Sequence, residues 1–96
     1  MATFEKHCEA SQREFGNPYP EIHRWLDEFH GVEPYMTRHR KLRHHAAGVK
    51  RAIEIFGDYA EKVAMQHIVI DLKEEGWTES DHFPLDQFDY ESMGLW

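Results

Sequence analysis

The sequence predicts an all-α protein, a compact bundle of four main helices with a short C-terminal extension. Three observations carry this. Apolar residues recur at three- and four-residue spacing through most of the first 76 positions, the period of a helix buried on one face. Gly16-Asn17-Pro18, Gly31, Gly57 and Gly76 punctuate these stretches where helices would end. The one strand-like run, His67 to Leu72, is flanked by helix formers and closed by Gly76.

Taken in order, Thr3 is the expected N-cap of a first helix, with Phe4, Cys8, Ser11 and Phe15 on one face. Pro20 suits the first turn of a second helix, whose stripe of Ile22, Trp25, Leu26 and Phe29 runs to Gly31. Tyr35, His39, Leu42, Ala46, Val49, Ile53 and Phe56 form a regular seam and predict one long third helix. Asp58 should cap a fourth, running to Gly76 with Ala60, Val63, Ala64, His67, Ile70 and Asp71 on its inner side. A short helix within Pro84 to Tyr90 completes the expectation. Residues 1–96 read as a single domain, a core over 3–76 followed by an acidic, aromatic tail over 77–96.

Composition narrows the function classes. The 96 residues are 41% hydrophobic and 14% aromatic, enough for a core. No apolar run exceeds three residues, so no membrane span is expected, and the N-terminal stretch lacks the apolar region of a secretory signal. A lone cysteine excludes an internal disulfide framework and a thiolate-rich zinc knuckle, and the cytoplasm is the expected compartment. Net charge is −7, which disfavours nucleic acid as a partner. Arg38 to Arg51 holds six basic residues and no acid, whereas Asp71 to Trp96 holds eight acids and Lys73. These segments are expected either to neutralise each other or to leave a local anion site.

Eight histidines in 96 residues are many, and the helix wheels bring an imidazole to or near the inward face of every helix. Buried imidazole needs partners for both nitrogens. His7, His39, His45, His67 and Asp71 are the candidate ligands of a divalent transition metal in the bundle interior. With nitrogen and oxygen donors but no thiolate, Zn²⁺, Fe²⁺, Mn²⁺ and Ni²⁺ all qualify. His67 and Asp71 are one helical turn apart, so the acid either ligates or orients the imidazole. Arg40 and Arg43 are candidates to hold a small anionic substrate. There is no Ser-His-Asp order, glycine-rich phosphate loop or HExxH motif.

The run His39-Arg40-x-x-Arg43-His44-His45-x-x-Gly48, then Phe56-Gly57 and Gln66-His67-x-x-x-Asp71, resembles short bacterial and phage proteins grouped as a domain of unknown function. His7 and Ile22-His23-x-Trp25-Leu26-Asp27 extend that likeness over residues 7 to 76. The resemblance implies that His39, His44, His45, His67 and Asp71 act as a set. It adds His44, which spacing alone turns towards solvent. It implies no substrate.

The leading expectation is therefore a metal-binding helical domain, with metal-dependent hydrolysis such as phosphoesterase chemistry as its finer form. Two others stand beside it. One is a non-catalytic acidic protein that binds a phage or host partner. The other is a helical homodimer with structural core histidines.

Overall fold

Thr3 opens the first helix as its residue type predicts. Its side-chain oxygen accepts the Lys6 amide at 3.3 Å, and α1 spans Phe4–Phe15. Gly16 ends the helix at φ 79°, a left-handed conformation that glycine adopts without a Cβ clash. The computed structural model describes residues 2–96. Four more α-helices follow: α2 Pro20–Leu26, α3 Ala46–Phe56, α4 Ala60–Glu74 and α5 Gln87–Ser92, with a 3₁₀ turn over His39–Leu42. The described residues form no strand, and none of their helices is long and apolar enough to cross a membrane. The all-α expectation holds.

Helix α4 is the element against which α1, α2 and α3 all pack. Its buried positions, Ala60, Val63, Ala64, His67, Ile68, Asp71 and Leu72, follow the three-four spacing of one helical stripe. Ile68 and Leu72 complete that stripe, and Ile70, expected there, is only half-buried. Ile22, Leu26, Val49, Ala52 and Tyr90 close the apolar core around it. In α1 the buried face is His7 and Ser11, with Phe4, Cys8 and Phe15 at its edges.

The long third helix does not form. Residues 39–42 make the 3₁₀ turn, the chain breaks over 43–45, and α3 begins only at Ala46. His45 is extended (φ −161°, ψ 176°) and caps α3 through its own ring, whose Nδ1 accepts the Gly48 amide at 3.0 Å. Gly48 is what permits the sharp entry, since a Cβ there would overlap the Arg43 carbonyl. The second helix is shorter too. It ends at Leu26 with Asp27 as C-cap, and turns replace the turn of helix expected through Phe29. Tyr59, rather than Asp58, precedes the first residue of α4.

The tail is built into the domain. Pro84 and Leu85 carbonyls accept the Ala46 and Ala47 amides at 2.9 Å each, satisfying donors that the first turn of α3 leaves unpaired. Asp86 caps α5 by accepting the Asp89 amide at 2.8 Å, and Tyr90 on that helix is fully buried. Opposite charges meet where the sequence suggested, with Lys41 3.4 Å from Glu91 and Arg40 2.9 Å from Glu75.

The break before α3 makes a direct prediction. Gly48→Ala should destabilise the protein by about 2–4 kcal/mol in denaturant unfolding, because backbone rather than a flexible side chain must yield. Unchanged stability would mean that the close approach to Arg43 is dispensable.

Candidate metal centre

Two carboxylates and a ring of imidazoles converge where the ends of α2 and α3 meet the middle of α4. His67 and Asp71 lie one turn apart on α4, with His67 Nε2 3.3 Å from Asp71 Oδ2. Asp27 leaves the end of α2 with Oδ2 3.4 Å from the same His67 nitrogen. His44, which a continuous helix would turn away, comes inward through the break and places Nε2 3.1 Å from Asp71 Oδ2 and 3.5 Å from Asp27 Oδ1. One donor atom from each of these four residues lies within 4.8 Å of the other three. His44, His67 and Asp71 are buried, while the Asp27 side chain keeps 29% of its surface exposed.

The outer carboxylate oxygens are held by other histidines. His39 Nε2 stands 2.9 Å from Asp27 Oδ1, and His7 Nε2 stands 3.1 Å from Asp71 Oδ1. His7 also stacks on His67, ring centroids 3.6 Å apart. On the far side of His67, its Nδ1 lies 2.9 Å from His23 Nδ1, and His23 Nε2 lies 2.8 Å from the Ser11 hydroxyl. His67 Nε2 itself is buried without a hydrogen-bond partner. It is close to two carboxylate oxygens and aligned with neither.

The electrostatics follow from burial and neighbours. Burial opposes ionisation of both acids, yet the His39 hydrogen bond and the nearby His67 imidazole hold Asp27 well below the usual carboxylate range. Bonds from His44 and His7, with the His67 imidazole close by, do the same for Asp71. Burial lowers His44 to about 4 against the pull of Asp71. Burial, then the proximity of His67 and His7, lowers His23 to about 3. His67 goes the other way. Burial disfavours its charge, but Asp27 and Asp71 together raise its pKa above the ordinary value. The centre thus favours a positive charge at His67 Nε2, whether that charge is a proton or a bound cation.

Arg40 joins this cluster to the tail. Its guanidinium lies 3.5 Å from Asp71 Oδ1 and donates to Glu75 Oε2 at 2.9 Å. Glu75 also accepts the Tyr90 hydroxyl at 3.0 Å and the Trp96 amide. Arg43 donates to Glu28 and to the Trp25 carbonyl and stacks over the Trp25 and Phe29 rings. Both arginines, which the sequence made candidates to hold a small anion, thus have protein partners here. His45 stands outside the cluster. One of its ring nitrogens caps α3 and the other donates to the Lys41 carbonyl at 3.0 Å.

The structure therefore brings together His7, His39, His44, His67 and Asp71 from the sequence-derived set. It adds Asp27 and, behind His67, His23 and Ser11. Asp27 was missed because α2 was expected to continue past it. A usable signal existed: His23-x-x-x-Asp27 repeats the spacing of His67-x-x-x-Asp71. The model of a family described as a domain of unknown function, DUF6915, matches residues 2–88. The chain belongs to that family. No curated protein and no solved structure matches the chain. The DUF6915 match spans every residue of the cluster, so the centre is part of the family domain and its role must be argued from its own chemistry.

The Arg40–Glu75–Tyr90 link is testable alone. Tyr90→Phe removes one bond to a half-buried charge and should cost about 1–2 kcal/mol of unfolding free energy. Equal stability of variant and parent would show that Glu75 needs no help from α5.

Proposed function

We propose that this domain binds one divalent transition metal between Asp27, His44, His67 and Asp71. The observation that carries the reading is the spacing of donors around an unpartnered buried nitrogen. Ligands held at about 2.0–2.1 Å in a tetrahedral shell stand about 3.3–3.4 Å apart. His67 Nε2 lies 3.3 and 3.4 Å from Asp71 Oδ2 and Asp27 Oδ2, and His44 Nε2 lies 3.1 Å from the same Asp71 oxygen. Two ionised carboxylates inside a protein call for compensating positive charge, and a divalent ion between them supplies it.

The surroundings support the same reading. His39 and His7 hold the outer oxygens of the two acids, the arrangement by which residues around a metal orient its ligands. The all-nitrogen-and-oxygen set accommodates Zn²⁺, Fe²⁺, Mn²⁺ or Ni²⁺, and the near-tetrahedral spacing favours Zn²⁺. Hydrolysis is the second reading, favoured by one feature. A pocket of about 330 Å³ lined by His30, Thr37, His39, Arg40, Glu74, Glu75 and Trp96 adjoins the His39 side of the centre. Hydrolysis would require the ion to take a water as a fifth ligand on that side, and release of product from phosphate esters by the metal-loaded protein tests it.

Protein purified without an affinity tag should carry about one equivalent of metal per chain by elemental analysis, and added Zn²⁺ should raise the unfolding midpoint by mass action. Asp27→Asn and Asp71→Asn should each weaken metal affinity by about 10–100-fold. His82→Ala, at a residue whose exposed side chain pairs with Asp89, should leave it unchanged. Less than about a tenth of an equivalent, with no thermal response to Zn²⁺, overturns the proposal.

A further inference from the structure

A chain of four side chains runs from the surface to the back of His67, and hydrogen-bond chemistry allows it only one direction. It starts at Gln66, half-buried on α4. One end of the Gln66 amide faces two acceptors, the Ala10 carbonyl at 3.1 Å and Glu14 Oε2 at 2.7 Å. Only the NH₂ group can satisfy both, so the amide oxygen must face Ser11, 2.7 Å away. An amide oxygen only accepts. Ser11 therefore spends its single proton on Gln66, and its oxygen is left to accept from His23 Nε2 at 2.8 Å.

The direction then passes through two rings. His23 is buried and makes no ion pair among the described residues. As a neutral imidazole with its proton on Nε2, it presents a lone pair at Nδ1. The atom facing that lone pair, at 2.9 Å, is His67 Nδ1, which must donate. His67 Nε2 is then the nitrogen left to face Asp27 and Asp71, and it is the one without a hydrogen-bond partner. His44 has no such support, because its Nδ1 is buried and unpartnered.

We infer that Gln66 and Ser11 are positioning residues that act through His23 to keep the His67 proton on Nδ1, presenting Nε2 as a donor atom to the metal. The inference rests on the metal-binding reading and adds which residues set its affinity. The consequence is specific. Without the Ser11 hydroxyl, His23 is free to carry its proton on Nδ1, and His67 then answers with its proton on Nε2. In that tautomer Nε2 has no lone pair to offer a metal between Asp27 and Asp71. Ser11 is fully buried, and its side-chain hydrogen bonds go to His23 and Gln66, not to either carboxylate.

The test pairs nitrogen-15 NMR of the histidine rings with Zn²⁺ titration. In the Zn²⁺-loaded parent, His67 should carry its proton on Nδ1 and show a metal-shifted Nε2. Ser11→Ala should weaken Zn²⁺ binding by about 10-fold or more, the scale for a lost group behind a ligand. Ser11→Thr, which keeps the hydroxyl, should restore affinity to within about 3-fold of the parent on the same scale. Ser11→Ala that lowers thermal stability yet leaves Zn²⁺ affinity unchanged overturns the inference, because it reduces Ser11 to packing. So does a parent spectrum with the His67 proton on Nε2, and that result is decisive even if a Ser11 variant does not fold. Failure of the parent to bind Zn²⁺ overturns the metal reading instead, while the parent's ring spectrum still decides the tautomer.

Discussion

Two carboxylates placed against the same imidazole inside a protein are unfavourable unless positive charge lies between or around them. Asp27 and Asp71 occupy that position, and much of the structure is arranged to make it tolerable. His39 and His7 hold the outer oxygens, and Arg40 approaches Asp71 from the tail side. His44 and His67 face the inner oxygens. α2 stops where Asp27 must turn inward, and the chain breaks before α3 where His44 must do the same. The site shapes the helices as much as the helices shape the site.

The same constraint explains which parts of the protein were legible in the sequence. The two best-read helices, α1 and α4, show no conflict between local preference and the site. Thr3, Gly16 and the Ala60–Leu72 stripe all act as their residue types predict. The third helix misled because its seven-residue seam was regular, yet His39 and Ala46 on that seam belong to different elements. What decided the matter was Gly48, whose missing side chain admits the Arg43 carbonyl. Periodicity does not register a contact of that kind. A capping histidine such as His45 is equally hidden, since its residue type is not a usual N-cap.

Of the centre itself, the pair His67 and Asp71 was visible from spacing, and His44 from family likeness alone. Asp27 was hidden by the overlong second helix, although the repeated His-x-x-x-Asp spacing marked it. The relay behind His67 could not be read at all, because Ser11, His23 and Gln66 lie on three separate helices. Charge patterning points to a tail that neutralises the basic stretch, and Lys41–Glu91 and Arg40–Glu75 pair accordingly. The rest of the tail's role comes from backbone carbonyls at Pro84 and Leu85 and from the Tyr90 hydroxyl on Glu75, none of which composition reports. Through Glu75 and Arg40 the tail reaches Asp71, so the last helix and the centre share one hydrogen-bonded path.

The central claim is that the gap among Asp27, His44, His67 and Asp71 is a cation site. Anomalous diffraction from crystals of the protein grown with one equivalent of Zn²⁺ locates such an ion directly. The account predicts a single strong peak about 2.0–2.1 Å from His67 Nε2, with His44 Nε2 and an oxygen of each aspartate completing the shell. A peak only at exposed groups such as His82 and Asp89, with none in the buried cluster, would contradict it.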